Sequence, residues 1–170
     1  METIPDAGAS DTGNSTHGKA DLGKRFGAYF IDALLAGLLA YILGLGGFRM
    51  YGFGMLVGAG YILFRDGLEI EFMRQRSLGK KLLKLRPVRL DGSPMTIDAS
   101  LRRNWPMALP TALYGLGAIL GGYGGVFAVT ALAGLAGLFV LVECILVLTD
   151  DDGRRFGDKF ANTQVVTSDD

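Results

Sequence analysis

Hydrophobic positions along this chain gather into long blocks instead of alternating with polar ones. The first block, residues 26–46, is about 21 residues long, and at about 1.5 Å per helical residue it just crosses a hydrocarbon core of roughly 30 Å. The second, residues 50–64, lies between Arg49 and Arg65. With only about 15 residues it crosses only if the flanking arginines snorkel or the bilayer thins locally. Residues 107–142 contain no charged side chain, and as one straight helix they would run for about 54 Å, far beyond what a bilayer requires. That run has to fold back, and Gly121-Gly122-Tyr123-Gly124-Gly125 is where the backbone is freest to turn. The pattern predicts an all-α membrane protein, a bundle of four transmembrane helices near residues 26–46, 50–64, 107–120 and 126–149.

The polar segments predict smaller elements. In the loop of residues 65–105, Ser77 is placed to cap a short amphipathic helix carrying Leu78, Leu82, Leu83 and Leu85, with Lys80, Lys81 and Lys84 on or beside its polar side. Such a basic element suits the anionic surface of a membrane. After it, Pro87-Val88-Arg89-Leu90, Asp91-Gly92 and Met95-Thr96-Ile97 read as a small β-hairpin or sharp turn. Thr163-Gln164-Val165-Val166 reads as a strand able to join it. Residues 1–22 are polar and lack the basic and apolar regions of a cleaved signal peptide, so a disordered tail ahead of an uncleaved first span is expected. One membrane domain, residues 23–166, follows, with an acidic end at 167–170. No internal repeat is evident.

Composition sharpens this picture only through where the charges lie. The mean hydropathy is +0.32 and the formal net charge zero, averages that conceal charge-free tracts between charged segments. With four spans, sixteen of the seventeen lysines and arginines fall on one side, which the positive-inside rule makes the cytoplasmic one. The expected setting is a membrane with both termini cytoplasmic and anionic lipids against the basic loop. Ten basic residues in that loop are explained by this bias, and nucleic-acid binding is not called for. Small residues, Ala33, Gly37, Ala40 and Gly44 on the first span, Gly54 and Gly58 on the second, Ala133 and Gly137 on the fourth, permit close helix contacts within the chain or in a homo-oligomer. Cys144 is the only cysteine and His17 the only histidine, so neither a disulfide nor a metal cluster is expected.

Two carboxylates interrupt the apolar blocks. Asp32 lies six residues into the first span and Glu143 six residues in from the end of the fourth, which puts both about 9 Å below the same face. No lysine or arginine is expected at that depth, so a shared site would hold a proton or a cation between them. The alternative is structural, with Asp32 bonded to Arg25, Tyr29 or a neighbouring backbone.

Three separated motifs carry a family resemblance. Lys24-Arg25-Phe26-Gly27-Ala28-Tyr29-Phe30-Ile31-Asp32, the loop SLGKKLLKLRPVRLDG and the tail RRFGDKFANTQVV together resemble the RDD family of small bacterial membrane proteins, over roughly residues 23–166. The resemblance implies that Arg25 is the family's arginine and Asp32 and Asp158 its two aspartates, with Ser77-Leu78-Gly79-Lys80 standing for its Gly-Lys loop motif. Gly157 stands where the family often has histidine, and Ala161-Asn162-Thr163 where it has Ala-Gly-Thr. An Arg25–Asp158 pair would tie the tail to the first helix. The family suggests transport, with some members linked to sodium/proton antiport.

Two functional readings remain open at this level. In one, Asp32 with Glu143 transports or exchanges protons or monovalent cations, in a homo-oligomer or larger complex. In the other, the chain is a non-transporting scaffold or accessory subunit whose basic loop docks lipid or a partner. No HExxH, GxSxG, Cys/His cluster or phosphate loop is present, so neither an enzyme nor a cofactor is expected.

Overall fold

A computed structural model describes residues 20–168; the expected tail lies almost wholly outside the described residues. The order of elements is α1 (Leu22–Gly44), α2 (Phe48–Phe64), α3 (Leu78–Leu82), β1 (Leu85–Arg89), α4 (Ile97–Thr149), α5 (Phe156–Phe160) and β2 (Thr163–Thr167). Asp21 caps α1 by accepting from the Lys24 N–H at 2.8 Å, so the helix starts before the apolar block does. Gly47, at φ 111°, takes the chain into α2 through a backbone shape that a side chain would strain.

α1 and α2 pack through small residues, as the pattern predicts, but with a different pairing. Gly54 lies against Ala40 and Gly58 against Ala36, while Gly37 has nothing within 4 Å. Gly52 of α2 in turn meets Ala118 and the Gly115 carbonyl of α4. A Cβ on Gly137, in the small-residue spacing expected on the fourth span, would meet nothing within 4 Å among the described residues.

α4 keeps helical backbone over 53 residues, and a straight helix of that length would reach about 80 Å. It is not straight. Trp105 stacks on Phe139 with ring centroids 6.0 Å apart, although 34 residues of straight helix would separate them by about 51 Å. Gly117 abuts Gly125 and Val129. α4 therefore doubles back in the expected Gly-rich stretch, into two arms that return to the same end of the molecule. Its first arm begins ten residues ahead of the expected border, because Thr96 caps it by accepting from Ala99 N–H at 3.2 Å. Residues 97–105, read from the sequence as loop, are helix, and their polar side chains Ser100, Arg103 and Asn104 are buried.

The small elements close the charged end. The expected hairpin does not form: β1 pairs instead with β2 of the tail, antiparallel, with Pro87 opposite Val165. Asp91-Gly92 still turns, with Gly92 at φ 75°, but it leads into α4 and not into a partner strand. The Ser77 cap forms, its Oγ accepting from Lys80 N–H at 3.3 Å. The amphipathic orientation is altered, because Lys80 is buried and Leu82 is 63% exposed.

These elements also reveal a repeat that the sequence conceals. α3–β1 and α5–β2 have the same construction, each position in the second lying 78 residues after its counterpart. Leu78-Gly79-Lys80-Lys81-Leu82 corresponds to Phe156-Gly157-Asp158-Lys159-Phe160, and the helix-to-strand turns place Lys84 and Asn162 at φ 54° and 52°. The pairing is two-fold about the centre: Pro87 faces its own counterpart Val165. Leu90 N–H donates to Asn162 O and Ser168 N–H to Lys84 O, also counterparts. Only a few identities, such as Gly79 with Gly157 and Lys81 with Lys159, mark the repeat, too few to stand out in the chain. Asn162 occupies the left-handed position where the resemblance implied glycine, a conformation asparagine tolerates better than most residues.

Candidate functional site

Four buried carboxylates gather at the charged end, each positioned by helix termini that converge there. Asp32 of α1 is 1% exposed. It accepts from Arg65 Nη1 at 2.9 Å, from the Tyr61 hydroxyl at 3.0 Å and from the Gly79 N–H at 2.9 Å. The expectation that no basic group lies at this depth is corrected: Arg65 does not snorkel outward but turns in, 2% exposed, because the α2 terminus ends beside Asp32. Neither Arg25 nor Tyr29 is the hydrogen-bond partner.

Asp66 follows directly. Lys80 Nζ lies 2.6 Å from both of its oxygens, Asn104 Nδ2 donates at 3.1 Å and Arg103 Nε lies 3.4 Å away. Burial pushes this carboxyl up, but Lys80, Arg103 and Arg65 outweigh it and hold Asp66 well below the usual carboxylate range. The same burial works against the Lys80 ammonium, and contact with Asp66 opposes it.

Asp158 of α5 gathers three arginines. Arg25 Nη2 is 2.9 Å away, Arg103 Nη2 3.1 Å and Arg155 Nε 3.3 Å. Arg25 also donates to the Gly153 carbonyl, so α1 and the tail are joined as the family arginine and second aspartate implied. Burial raises the Asp158 carboxyl, yet Arg103, Arg155 and Arg25 together bring it down to about 2.

Glu143, on the second arm of α4, is built differently. It is fully buried and accepts from the Gly157 N–H, at 3.1 Å to one oxygen and 3.4 Å to the other. Among the described residues, no lysine or arginine nitrogen lies within ion-pair distance of it. Gly157 can approach because it has no side chain; a Cβ there would run into the Arg103 carbonyl, as one on Gly79 would run into the Ala28 carbonyl. Each of the two short helices thus delivers a glycine N–H to one buried carboxylate, to Asp32 from α3 and to Glu143 from α5.

Asp32 and Glu143 line one cavity of about 70 Å³, with Arg25, Arg65, Lys80, Arg103 and Arg155 also in its wall. That is room for several waters. The two carboxylates are therefore brought to one space, although α1 packs on α2 and α3 and not extensively on α4. Ser77 and Leu78 shape the same corner, Leu78 N–H lying 3.4 Å from the Tyr61 hydroxyl. The half-buried Cys144 is a free thiol in the cavity wall, and His17 lies outside the described residues. Sequence reasoning missed Tyr61, Arg65, Asp66, Arg103, Asn104 and Arg155. Their signal was charged or polar residues directly at the ends of apolar blocks, which also serve as ordinary flanking anchors.

Leu22–Gly44 and Leu132–Thr149 are each long and apolar enough to cross a membrane, and only 17% of each such stretch is buried inside the molecule. Most of their leucines face outward; with a charged end sealed by buried ion pairs, this is the architecture of an integral membrane protein. The RDD family model matches residues 19–162, and the chain belongs to that family. No curated protein and no solved structure matches the chain.

Proposed function

We propose that this RDD-family membrane protein moves protons through the cavity at its charged end, with Glu143 as the group that takes up and releases them and Asp32 as a fixed wall. The observation that carries this reading is the difference in pairing. Asp32, Asp66 and Asp158 each have a basic partner in contact, whereas Glu143 is met, among the described residues, by backbone N–H groups and by no basic side chain at ion-pair distance. A buried carboxyl held in that way can exchange a proton without breaking an ion pair. Five basic side chains in the same wall oppose a monovalent cation there, so the proton is favoured over sodium or potassium.

The charge bias supports a cytoplasmic side for the charged end and both termini, and family membership supports a bacterial inner membrane, crossed four times by α1, α2 and the two arms of α4 in this reading. Exposed apolar faces and the unoccupied small residues of the second α4 arm support a homo-oligomer or larger complex. A second reading, a non-transporting scaffold or accessory subunit, draws on the complete pairing of the three aspartates. Proton flux into vesicles containing the purified chain, beside Glu143→Gln at equal incorporation, separates the two. Flux abolished by the substitution supports proton exchange; no flux in the unaltered protein favours the scaffold.

A further inference from the structure

We propose that the cavity at the charged end seats the phosphate of an anionic phospholipid, which enters between α1 and the second arm of α4 with its acyl chains left in the bilayer. The first support is charge. Five basic side chains line the cavity against four buried carboxylates in and behind it, so a positive surplus remains even with every carboxylate ionised. The second is an unpartnered donor. Arg103 is 1% exposed and lines the cavity. Its Nη2 serves Asp158 and its Nε lies near Asp66, but its Nη1 has no hydrogen-bond partner among the described residues. A buried guanidinium edge left without an acceptor is costly, and an oxyanion satisfies it with the fork geometry that arginine presents to phosphate.

The route decides between a lipid and a free oxyanion. The cavity wall combines Phe26 and Tyr29 of α1 with Cys144 and Val147 of α4, and α1 and α4 do not pack extensively against each other. Beyond that gap, outward-facing Phe30 and Leu34 continue along α1, and Leu141 and Ile145 along α4. A group arriving there comes through hydrocarbon, so it has to be carried on an apolar molecule. The proposed orientation enters only in naming the cytoplasmic leaflet; binding itself is read without reference to proton flux, so the two ideas can fail separately.

Native mass spectrometry of the full chain in detergent, offered equal phosphatidylglycerol and phosphatidylcholine, tests the proposal. One retained phosphatidylglycerol per chain is expected, with a preference of about tenfold, the worth of one charge-assisted contact. Val147→Trp, which adds bulk to the apolar wall of the cavity and leaves every charged side chain in place, should abolish the preference. Arg103→Lys, which keeps the positive charge beside Asp66 and Asp158 but loses the fork, should weaken it. Equal retention of both lipids by the unaltered chain overturns the proposal. So does an unchanged preference in a folded Val147→Trp, which would locate the lipid on the basic loop. Displacement by inorganic phosphate at matched concentration would assign the site to a free oxyanion. A lipid-free dimer would assign the gap to a second copy, and the proposal would fall. Should either variant not fold, the lipid preference and phosphate competition of the unaltered chain still decide.

Discussion

The two helix–strand modules of the charged end use one backbone device in two electrostatic settings. In α3–β1, the Gly79 N–H reaches Asp32, which Arg65 also holds. In α5–β2, the Gly157 N–H reaches Glu143, which no basic group contacts among the described residues. The position after each glycine is inverted as well: Lys80 in the first module neutralises Asp66, and its counterpart Asp158 in the second gathers three arginines. Because β1 and β2 pair about a two-fold centre, Lys80 and Asp158 face a common charged interior from opposite sides. One module therefore clamps its carboxylate with an arginine and the other leaves its carboxylate without a basic group in contact among the described residues, on the same backbone plan. A buried pair contributes little net stability over an apolar replacement, but breaking it by removing one partner is expensive. That asymmetry makes the comparison testable.

The largest expected effect lies in the clamped module. Arg65→Met leaves Asp32 buried with two hydrogen bonds and no counter-charge, and should cost about 3 to 5 kcal/mol. Thermal or denaturant unfolding in detergent reads this directly. A loss below about 1 kcal/mol, the range of an ordinary exposed substitution, would mean that Asp32 is held no differently from Glu143, and the contrast between the modules would collapse.

Much of the bundle was legible in the sequence, and the reasons are local. Apolar blocks located the long helices, and the glycines at 121–125 located the fold-back because turning there needs only backbone freedom. The Ser77 cap was legible for the same reason, being decided within one turn of helix. What stayed hidden depends on positions distant in sequence. Arg65 looked like an interfacial anchor, since nothing near it in the chain says that α1 places a carboxylate beside it. The tail strand was legible, but β1 could not announce that this was its only partner, Val165 facing Pro87 from 78 residues later, so the nearer Met95-Thr96-Ile97 looked like a strand as well. The repeat escaped because its conserved content is geometric: a glycine that must approach a carbonyl, a left-handed residue and a strand register, with opposite charges at the central position. Glu143 was visible as an oddity in its apolar run, but its lack of a basic partner was not.

An intermediate effect should come from acid, and it sharpens the second module. Asp158 titrates at about 2 in the folded protein, below the ordinary value of 3.8. Its interactions therefore stabilise the fold fully above that ordinary value, and the contribution is lost as the pH falls through about 2. The amount is about 2 kcal/mol. Asp66 is held lower still, so Asp158 should release first. Unfolding measured between about pH 5 and pH 2 should show a stability loss that Asp158→Asn flattens. An acid limb of unchanged slope in that variant would place the titration elsewhere and leave the three-arginine cluster without the strength assigned to it.

The smallest expected effect is the one on which the contrast finally depends. Glu143→Gln keeps the size of the side chain and keeps a carbonyl oxygen for the Gly157 N–H, and it strands no partner because no basic group is in contact. Its cost to stability should stay under about 1 kcal/mol, even though the residue is fully buried. A buried carboxylate that was ionised and merely structural would behave differently: Arg155, the basic group that bears on it electrostatically, would lose a counter-charge, and the fold would weaken by an amount comparable with Arg65→Met. Unfolding of the two variants in the same detergent therefore distinguishes a carboxyl that carries an exchangeable proton from one that balances charge. A small loss of stability joined to a complete loss of proton flux is the combination that only the first of these produces.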